Sequence, residues 1–266
     1  MALPSPHMRA RKRFGQNFLV DDYVIGQIVD AINPKPGDNL IEIGPGHAAL
    51  TRPVLERAHA LTAIELDRDL VEILSHDPFL KGLNLISSDA LKIDFSTLPG
   101  AGSLRVFGNL PYNITSPIIF HLLKQSGSII DMHFMLQKEV VERLAAGPGG
   151  HDYGRLTVMT QFYAEVIPML VVPPKAFRPA PKVTSAVVRL IPRKLDSERL
   201  QLAETLNTVT TAAFGARRKT LRNALGKLFS QEELTALNID PIARAENLSV
   251  EQYVSLAKAL KLREEQ

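Results

Sequence analysis

The chain contains no cysteine, and that absence removes several explanations at once. A disulfide framework, a thiolate metal site and a cysteine nucleophile are all excluded. The lack fits a reducing compartment. The start of the chain, Met1 to Arg13, is polar and basic with no continuous apolar core of the kind a secretory signal needs, so a cytoplasmic location is expected. Long hydrophobic runs are missing too. The most apolar late stretch, Val166 to Val172, is interrupted by Pro168 and closed by Pro173-Pro174, far short of the roughly 20 residues of a membrane helix. No membrane partner is expected. The seven histidines show no paired metal-ligand spacing; His47, His121 and His133 read as structural or surface residues, and no metal is expected. Internal repeats and low-complexity tracts are also absent.

What is present is an ordinary globular composition over 266 residues, 45% hydrophobic and 22% charged. That length allows one large domain or two smaller ones, and a chain of this size buries roughly three quarters of its unfolded surface without staples. The net charge is only +3, but its distribution is uneven. Arg9, Arg11, Lys12 and Arg13 cluster near the start. Between Pro173 and Lys194 there are six basic residues (Lys175, Arg178, Lys182, Arg189, Arg193, Lys194) and no acidic one. Arg217, Arg218, Lys219 and Arg222 form a third group. Most charge runs are solvated faces, but three separate basic clusters in a nearly balanced chain favour a polyanionic partner.

Periodicity supplies the architecture. Apolar positions at helical spacing run from Tyr23 to Ile32 and stop at Asn33-Pro34. Short apolar strands follow at Asn39–Ile43, Leu61–Leu66, Leu83–Ser87, Leu104–Gly108 and Ile129–Leu136. Between and after them come helices, ending near Arg57, spanning Arg68 to about Leu74, reaching Lys124 behind a Thr115 or Ser116 cap with Pro117 as first helical residue, and covering Lys138–Ala146. The alternation predicts an α/β doubly wound parallel sheet of the Rossmann-like kind. A helix over Tyr153–Ala164 and two late strands, Val166–Val172 and Ser185–Ile191, come next. Behind Arg193 only helices are predicted: Leu200–Ala213, Lys219–Phe229, Gln231–Leu237 and Val250–Leu260, the last two opened by the capping boxes Ser230…Glu233 and Ser249…Gln252. The expected organisation is a domain over 1–193 and a small C-terminal all-α domain over 194–266.

The strand ends carry the chemistry. Gly44-Pro45-Gly46 follows the first parallel strand and opens a helix, a geometry that brings a ligand against backbone amides. Glu65 ends the second strand roughly 20 residues on, where a carboxylate accepts from ribose hydroxyls. A nucleotide-type cofactor follows, with NAD and S-adenosylmethionine as the competing ligands. Glu42, just ahead of the glycine loop, suits an ammonium rather than a pyrophosphate; Asp89 ends the third strand, where it can accept from an adenine amine. The fourth strand ends in Asn109-Leu110-Pro111-Tyr112. Asn109 offers an amide that both donates and accepts, Pro111 restrains the backbone around the Leu110 carbonyl, and Tyr112 offers a flat face. Two acceptors beside an aromatic plate suit the exocyclic amine of a nucleobase, although the tetrapeptide alone equally describes a strand ending in a turn. Together these groups favour S-adenosylmethionine and a methyltransferase.

The ordered motifs Lys12-Arg13-Phe14-Gly15-Gln16-Asn17-Phe18-Leu19, Glu42-Ile43-Gly44-Pro45-Gly46, Ile64-Glu65-Leu66-Asp67, Ser88-Asp89-Ala90 and Asn109-Leu110-Pro111-Tyr112-Asn113 resemble those of the small-subunit (16S) ribosomal RNA adenine N6,N6-dimethyltransferases, in their bacterial branch. The resemblance continues through Phe177-x-Pro-x-Pro-Lys182-Val183-x-Ser185-Ala186-Val187 and Phe214-x-x-Arg217-Arg218-Lys219-Thr220-Leu221-Arg222-Asn223. It spans residues 12 to about 225; beyond that only a helical domain is matched. It implies S-adenosylmethionine as cofactor and two methyl groups on each of two adjacent adenines in the 3′-terminal hairpin of small-subunit rRNA, presented on immature small subunits. By similarity, Gln16, Asn17 and Leu19 close over the cofactor, Gly44 and Gly46 admit its methionine end, Glu65 holds the ribose, and Asp89 with Ala90 holds the adenine. Asn109, Leu110, Pro111 and Tyr112 grip the target amine, with Asn109 also beside the cofactor. Tyr112 and Phe177 stack on a base turned out of its helix, though core packing explains Phe177 equally well. Arg217, Arg218, Lys219 and Arg222 contact rRNA backbone, and the protein is expected to act as a monomer.

Three other readings remain at this point. A large-subunit rRNA adenine methyltransferase of the macrolide-resistance type has a similar loop and Asn-x-Pro-Tyr. A ribosome-assembly factor whose methylation is secondary would share the basic clusters. An NAD oxidoreductase is disfavoured because no acid–base residue for hydride transfer is evident. The absence of cysteine agrees with an amine target, since methylation at a pyrimidine ring carbon commonly needs a thiolate.

Overall fold

The structure, a computed structural model, describes residues 17–216 and 218–265. In chain order the first part contains β1 (Phe18–Leu19), α1 (Asp22–Ile32), β2 (Asn39–Ile43), α2 (Thr51–Ala58), β3 (Leu61–Glu65), α3 (Arg68–Ser75), β4 (Leu83–Ser87), β5 (Leu104–Asn109), α4 (Thr115–Lys124), β6 (Ile129–Gln137) and α5 (Lys138–Ala145). Then come α6 (Arg155–Tyr163), β7 (Ala164–Val172), β8 (Phe177–Arg178) and β9 (Ser185–Pro192). Helices start and stop where local chemistry dictates. Asp21 caps α1 by accepting from the Tyr23 and Val24 amides, and Asn33, in the left-handed region at φ 49°, ends it ahead of Pro34. The stripe Val24, Ile28, Val29 and Ile32 is buried, as helical spacing predicts.

Seven strands form one sheet in the order β4-β3-β2-β5-β6-β9-β7. The pairs β2–β3, β3–β4, β2–β5 and β5–β6 are parallel. From β2 the chain steps outward to β3 and β4, then returns to the other side of β2 as β5. The reversal opens a crevice between β2 and β5 at the carboxyl edge of the sheet, where folds of this kind bind ligands. The two strands come very close there: a Cβ on Gly108 of β5 would lie 2.3 Å from the Ile43 carbonyl oxygen of β2, so only glycine fits. The parallel expectation holds for these five strands but not for the whole sheet. β9 pairs antiparallel with β6, because the chain reaches it through the proline-rich stretch 173–184 rather than over a crossover helix.

Other details depart from the expectations of the sequence. Neither Thr115 nor Ser116 caps α4; the cap is Ile114, and the Thr115 hydroxyl donates back to the Pro111 carbonyl at 3.3 Å. The helix expected over Leu200–Ala213 is broken at Leu202 into α7 (Ser197–Gln201) and α8 (Ala203–Gly215). The helix expected over Lys219–Phe229 shrinks to α9 (Leu221–Ala224). The Leu221 and Arg222 amides donate to the Ala243 and Pro241 carbonyls, tying the segment to a loop, and Gly226 is a poor helix former. Both capping boxes form, at the starts of α10 (Gln231–Ala236) and α11 (Val250–Glu264).

The chain divides into two compact units. One comprises residues 17–141 and 167–192, and the other 142–166 with 193–265. The helical unit takes in residues 142–166, which the sequence pattern assigns to the first domain. Packing explains the difference. Tyr153 lies against Phe214, with ring centroids 6.3 Å apart; the Thr210 hydroxyl of α8 contacts the Met159 sulfur of α6 at 3.6 Å; and Arg155 donates to Asn207 at 2.5 Å. The first unit contains an apolar cluster that includes Val29, Ile32, Leu40, Leu55, Phe107, Met135 and Val187.

Candidate active site

A cavity of about 240 Å³ opens at the carboxyl ends of β2, β3, β4 and β5. Glu42, near the end of β2, lines it with only 2% of its surface exposed. One hydroxyl, that of Thr51, donates to its Oε2 at 2.7 Å. Burial, with the Glu65 charge adding to it against the Thr51 hydrogen bond, pushes the Glu42 carboxyl up from 4.5 to about 8. The residues after β2 turn sharply: Gly44 has φ 70° and Gly46 φ 56°, both in the region that L side chains avoid. A Cβ on Gly46 would meet the Phe18 ring at 3.4 Å, so a side chain there would crowd the loop against β1.

Glu65, the last residue of β3, is 7% exposed. Its Oε1 accepts from the Asp67 amide at 2.9 Å, and its Oε2 receives a longer contact from the Gly46 amide at 3.4 Å. Burial raises its carboxyl above the ordinary value, partly offset by those backbone amides. Asp89, just beyond β4, caps a short turn by accepting from the Leu91 amide at 3.0 Å, and both Asp89 and Ala90 line the cavity. The bland role of Asp89 as a turn residue and its place at the cavity therefore coexist.

The fourth corner is Asn109, at the end of β5. Its side-chain amide donates to the Asn17 carbonyl at 3.2 Å. Leu110 is 1% exposed and its amide donates to the Met135 carbonyl of β6 at 3.3 Å. The Tyr112 hydroxyl is hydrogen-bonded to the Ser185 hydroxyl at 2.8 Å. Asn109, Leu110, Pro111 and Tyr112 all line the cavity, together with Asn17 and Leu19. Asn17 and Leu19 are brought there by a two-stranded antiparallel ribbon in which Phe18 pairs with Arg178 and Leu19 with Phe177. Phe18 stacks at a tilt on His47, with ring centroids 4.0 Å apart, and burial pushes the His47 ring below its ordinary value.

Not every expected residue is in place. Phe177, expected to stack on a base, is instead 1% exposed, packs in the apolar cluster behind the ribbon, and does not line the cavity. The pairing of β8 with β1 turns its side chain inward, so core packing accounts for it here. Gln16 and Arg217, like the basic group Arg9, Arg11, Lys12 and Arg13, lie outside the described residues. Arg218, Lys219 and Arg222 are exposed in the helical unit. Leu66, beside Glu65, is not among the expected site residues, yet it lines the cavity while 53% exposed. A leucine directly after the acidic residue that ends a parallel strand is the available signal. Thr51 is also missing from the expected set, because nothing in sequence shows which hydroxyl a buried carboxylate will find. Among the described residues no group of three or more His, Asp or Glu side chains could hold a metal ion, and no helix is long and apolar enough to cross a membrane.

The donor set discriminates between ligands. Four acidic side chains, Glu42, Glu65, Asp67 and Asp89, line the one cavity and disfavour a pyrophosphate, which argues against NAD. They complement a molecule that carries an ammonium, a ribose diol and an adenine amine, and the bare glycine loop leaves room beside Asn109. The fold and this set of groups define an S-adenosylmethionine-dependent methyltransferase.

Comparison with known proteins narrows the class. The family described as ribosomal RNA adenine dimethylase matches residues 7–262. Ribosomal RNA small subunit methyltransferase A of Mannheimia succiniciproducens is 59% identical over 259 residues, covering 94% of this chain and 90% of that protein. The protein of the same name from Aeromonas hydrophila is 58% identical over 254 residues, covering 94% of each. Among solved structures, a dimethyladenosine transferase from Plasmodium falciparum superposes with a TM-score of 0.76 at 24% identity, over 93% of this chain and 98% of that one, a likeness of fold. The 23S rRNA methyltransferase ErmE gives a TM-score of 0.69 at 26% identity, over 92% and 100%. The chain belongs to the ribosomal RNA adenine dimethylase family.

Proposed function

We propose that the cavity between β2 and β5 holds S-adenosylmethionine and that the chain dimethylates the N6 amines of two adjacent adenines in the 3′-terminal hairpin of small-subunit rRNA. The observation that carries this reading is the convergence of Glu42, Glu65, Asp89 and Asn109 from four successive strand ends on one cavity. In it, Glu42 faces the cofactor's ammonium, Glu65 its ribose and Asp89 with Ala90 its adenine, while Gly44 and Gly46 keep the loop clear of side chains. When bound there, S-adenosylmethionine would supply an electrophilic methyl group with a neutral thioether as leaving group, and the surplus proton of the methylated amine would go to water.

The protein's task is to make a poor nucleophile attack. Adenine's exocyclic nitrogen is conjugated into the ring, which spreads its lone pair. With the Asn109 amide nitrogen engaged by the Asn17 carbonyl, the Asn109 side-chain oxygen is the group left to accept from the target amine. That oxygen and the Leu110 carbonyl hold the amine pyramidal, with its lone pair localised. This is preorganised electrostatics, and it needs neither a strong base nor a thiol. Tyr112, its hydroxyl held by Ser185, presents its ring to the base. Phe177 supports the ribbon from behind rather than touching the base.

Arg218, Lys219 and Arg222 of the helical unit supply backbone contacts to RNA, recognising charge and shape rather than base edges. The preferred substrate is the immature small subunit, the acting form a monomer and the location the cytoplasm. The relatives named for the small subunit are 57–59% identical to this chain, against 26% for the 23S enzyme, which favours the small-subunit target. Incubation with labelled S-adenosylmethionine and immature small or large subunits, followed by mass spectrometry of rRNA fragments, tests the reading. Dimethyladenosine at two adjacent positions of small-subunit rRNA is expected. Label confined to large-subunit RNA, or no label at all, refutes it.

A further inference from the structure

Dimethylation poses a problem that a single methylation does not. The unmodified amine has two N–H groups, enough for both acceptors at the end of β5. After the first transfer only one N–H remains, so one acceptor goes unmet and the hydrogen bonds no longer fix the amine in both directions. The second transfer must rely more heavily on whatever holds the base by its face. Among the described residues the rings on the cavity wall are Phe18, His47 and Tyr112; Phe18 and His47 stack on each other by Gly46, and Phe177 is buried in the core, which leaves Tyr112, two residues from Leu110, to hold the base.

The orientation of that ring is set from a distant part of the chain. Its hydroxyl meets Ser185 Oγ at 2.8 Å, across 73 residues of sequence. Ser185 is the first residue of β9 and is fully buried, so water is not available as a substitute partner. Both ends of the bond are referenced to one strand. Ser185 pairs with Gln137 of β6, the next amide, that of Lys138, donates to the Thr184 carbonyl at 2.9 Å, and the Leu110 amide donates to Met135 of β6 at 3.3 Å. The Tyr112 loop is thus clamped to β6 directly through Leu110 and indirectly through Ser185 on β9. A phenol held at its far end cannot swing about its side-chain torsions, which is what a stacking plate needs.

We infer that Ser185 is a positioning residue for the second methyl transfer: by holding Tyr112, it keeps a monomethylated adenine in place when only one N–H is left to grip. The inference rests on the reading of the cavity given above and adds to it a division of labour, with Asn109 and Leu110 dominant in the first transfer and the Tyr112–Ser185 pair in the second. It also separates the clamp from cofactor binding, because Ser185 does not line the cavity.

The test is a time course on immature small subunits, scoring N6-methyladenosine and N6,N6-dimethyladenosine by mass spectrometry, for the wild type, Ser185→Ala, Tyr112→Phe and the double variant. Losing one hydrogen bond of this kind is expected to slow the second transfer by about fivefold to tenfold, so the monomethylated product accumulates. In Ser185→Ala, at a residue that does not line the cavity, the first transfer and the affinity for S-adenosylhomocysteine should change by much less. The two single variants should match, and the double variant should be no worse than either, because both remove the same bond. A generally damaged site would slow both transfers alike, and that result overturns the inference, as does an unchanged product ratio in Tyr112→Phe or additive effects in the double variant. If Ser185→Ala does not fold, Tyr112→Phe decides alone, since it deletes the hydroxyl from the more accessible partner. A wild type that makes no dimethyladenosine on small subunits refutes the functional reading itself, and the inference falls with it.

Discussion

Glu42 is the group through which cofactor binding and stability should oppose each other. Its carboxyl is buried, accepts a single hydrogen bond from Thr51, and is pushed up from 4.5 to about 8. Because the folded value lies above the unfolded one, the stability associated with the neutral form is fully present below pH 4.5 and is lost as pH rises toward 8. The rise corresponds to about 5 kcal/mol at its full extent, a large part of the stability of a typical domain. Burial therefore favours the protonated form of Glu42 in the free protein, and an ammonium placed beside it favours the carboxylate, so ligand binding is expected to expel a proton. Glu42→Gln removes the titration but keeps an acceptor for Thr51. Denaturant unfolding without ligand should show the wild type losing several kcal/mol relative to Glu42→Gln between pH 5 and pH 8. Calorimetry of S-adenosylhomocysteine binding near pH 7 should show release of close to one proton in the wild type, read from the dependence on buffer ionisation enthalpy, and much less in a variant that binds more weakly. Parallel stability curves for the two proteins, together with no proton release, would refute the assignment of Glu42 as a neutral acid awaiting a cation.

Further outcomes follow from other corners of the molecule. Asn109→Ala should lower kcat by roughly 10²–10³, the usual consequence of losing one preorganised group, with a much smaller change in S-adenosylhomocysteine affinity; undiminished dimethyladenosine yield would sink its assigned role. Gly46→Ala forces a side chain onto φ 56° and toward the Phe18 ring, which should destabilise the protein by about 1–2 kcal/mol and weaken cofactor binding in equilibrium titration. His133 is 3% exposed with an unpartnered Nε2, and burial pushes it down from 6.5 to about 4. Its folded value lies below the unfolded one, so its contribution is intact above pH 6.5 and is lost as pH falls toward 4, by about 3 kcal/mol in all; His133→Phe should flatten the acid side of a stability–pH curve in that window. Replacing Arg218, Lys219 and Arg222 by alanine should weaken binding to immature subunits and reduce the log–log salt dependence by roughly 0.7–0.9 for each phosphate no longer neutralised; unchanged affinity and salt slope would remove the helical unit from RNA binding.

What could be read from the sequence, and what could not, divides along the range of the interactions involved. Local chemistry was legible. The caps at Ser230 and Ser249, the stop at Asn33-Pro34 and the glycine turn after β2 are each written within a few residues, and each forms. The parallel strands were legible because period and spacing are local too, and with them came the placing of Glu65, Asp89 and Asn109 at one sheet edge. Long-range choices were not. Whether Phe177 faces a ligand or the core depends on the register in which β8 pairs with β1, and nothing near Phe177 decides that. Residues 142–166 join the helical unit because Met159 and Tyr153 find α8 partners 50 or more residues away. The hydroxyls of Thr51 and Ser185 are ordinary in sequence and gain meaning only from the carboxylate and the phenol they meet. The residues proposed to carry methyl-transfer chemistry are therefore the ones with local signatures, since a strand end and its turn must present them whatever the rest of the chain does. Those that hold the chemistry steady come from elsewhere in the fold. If the Ser185 clamp governs the second transfer, the difference between adding one methyl group and adding two lies in this second, sequence-silent set.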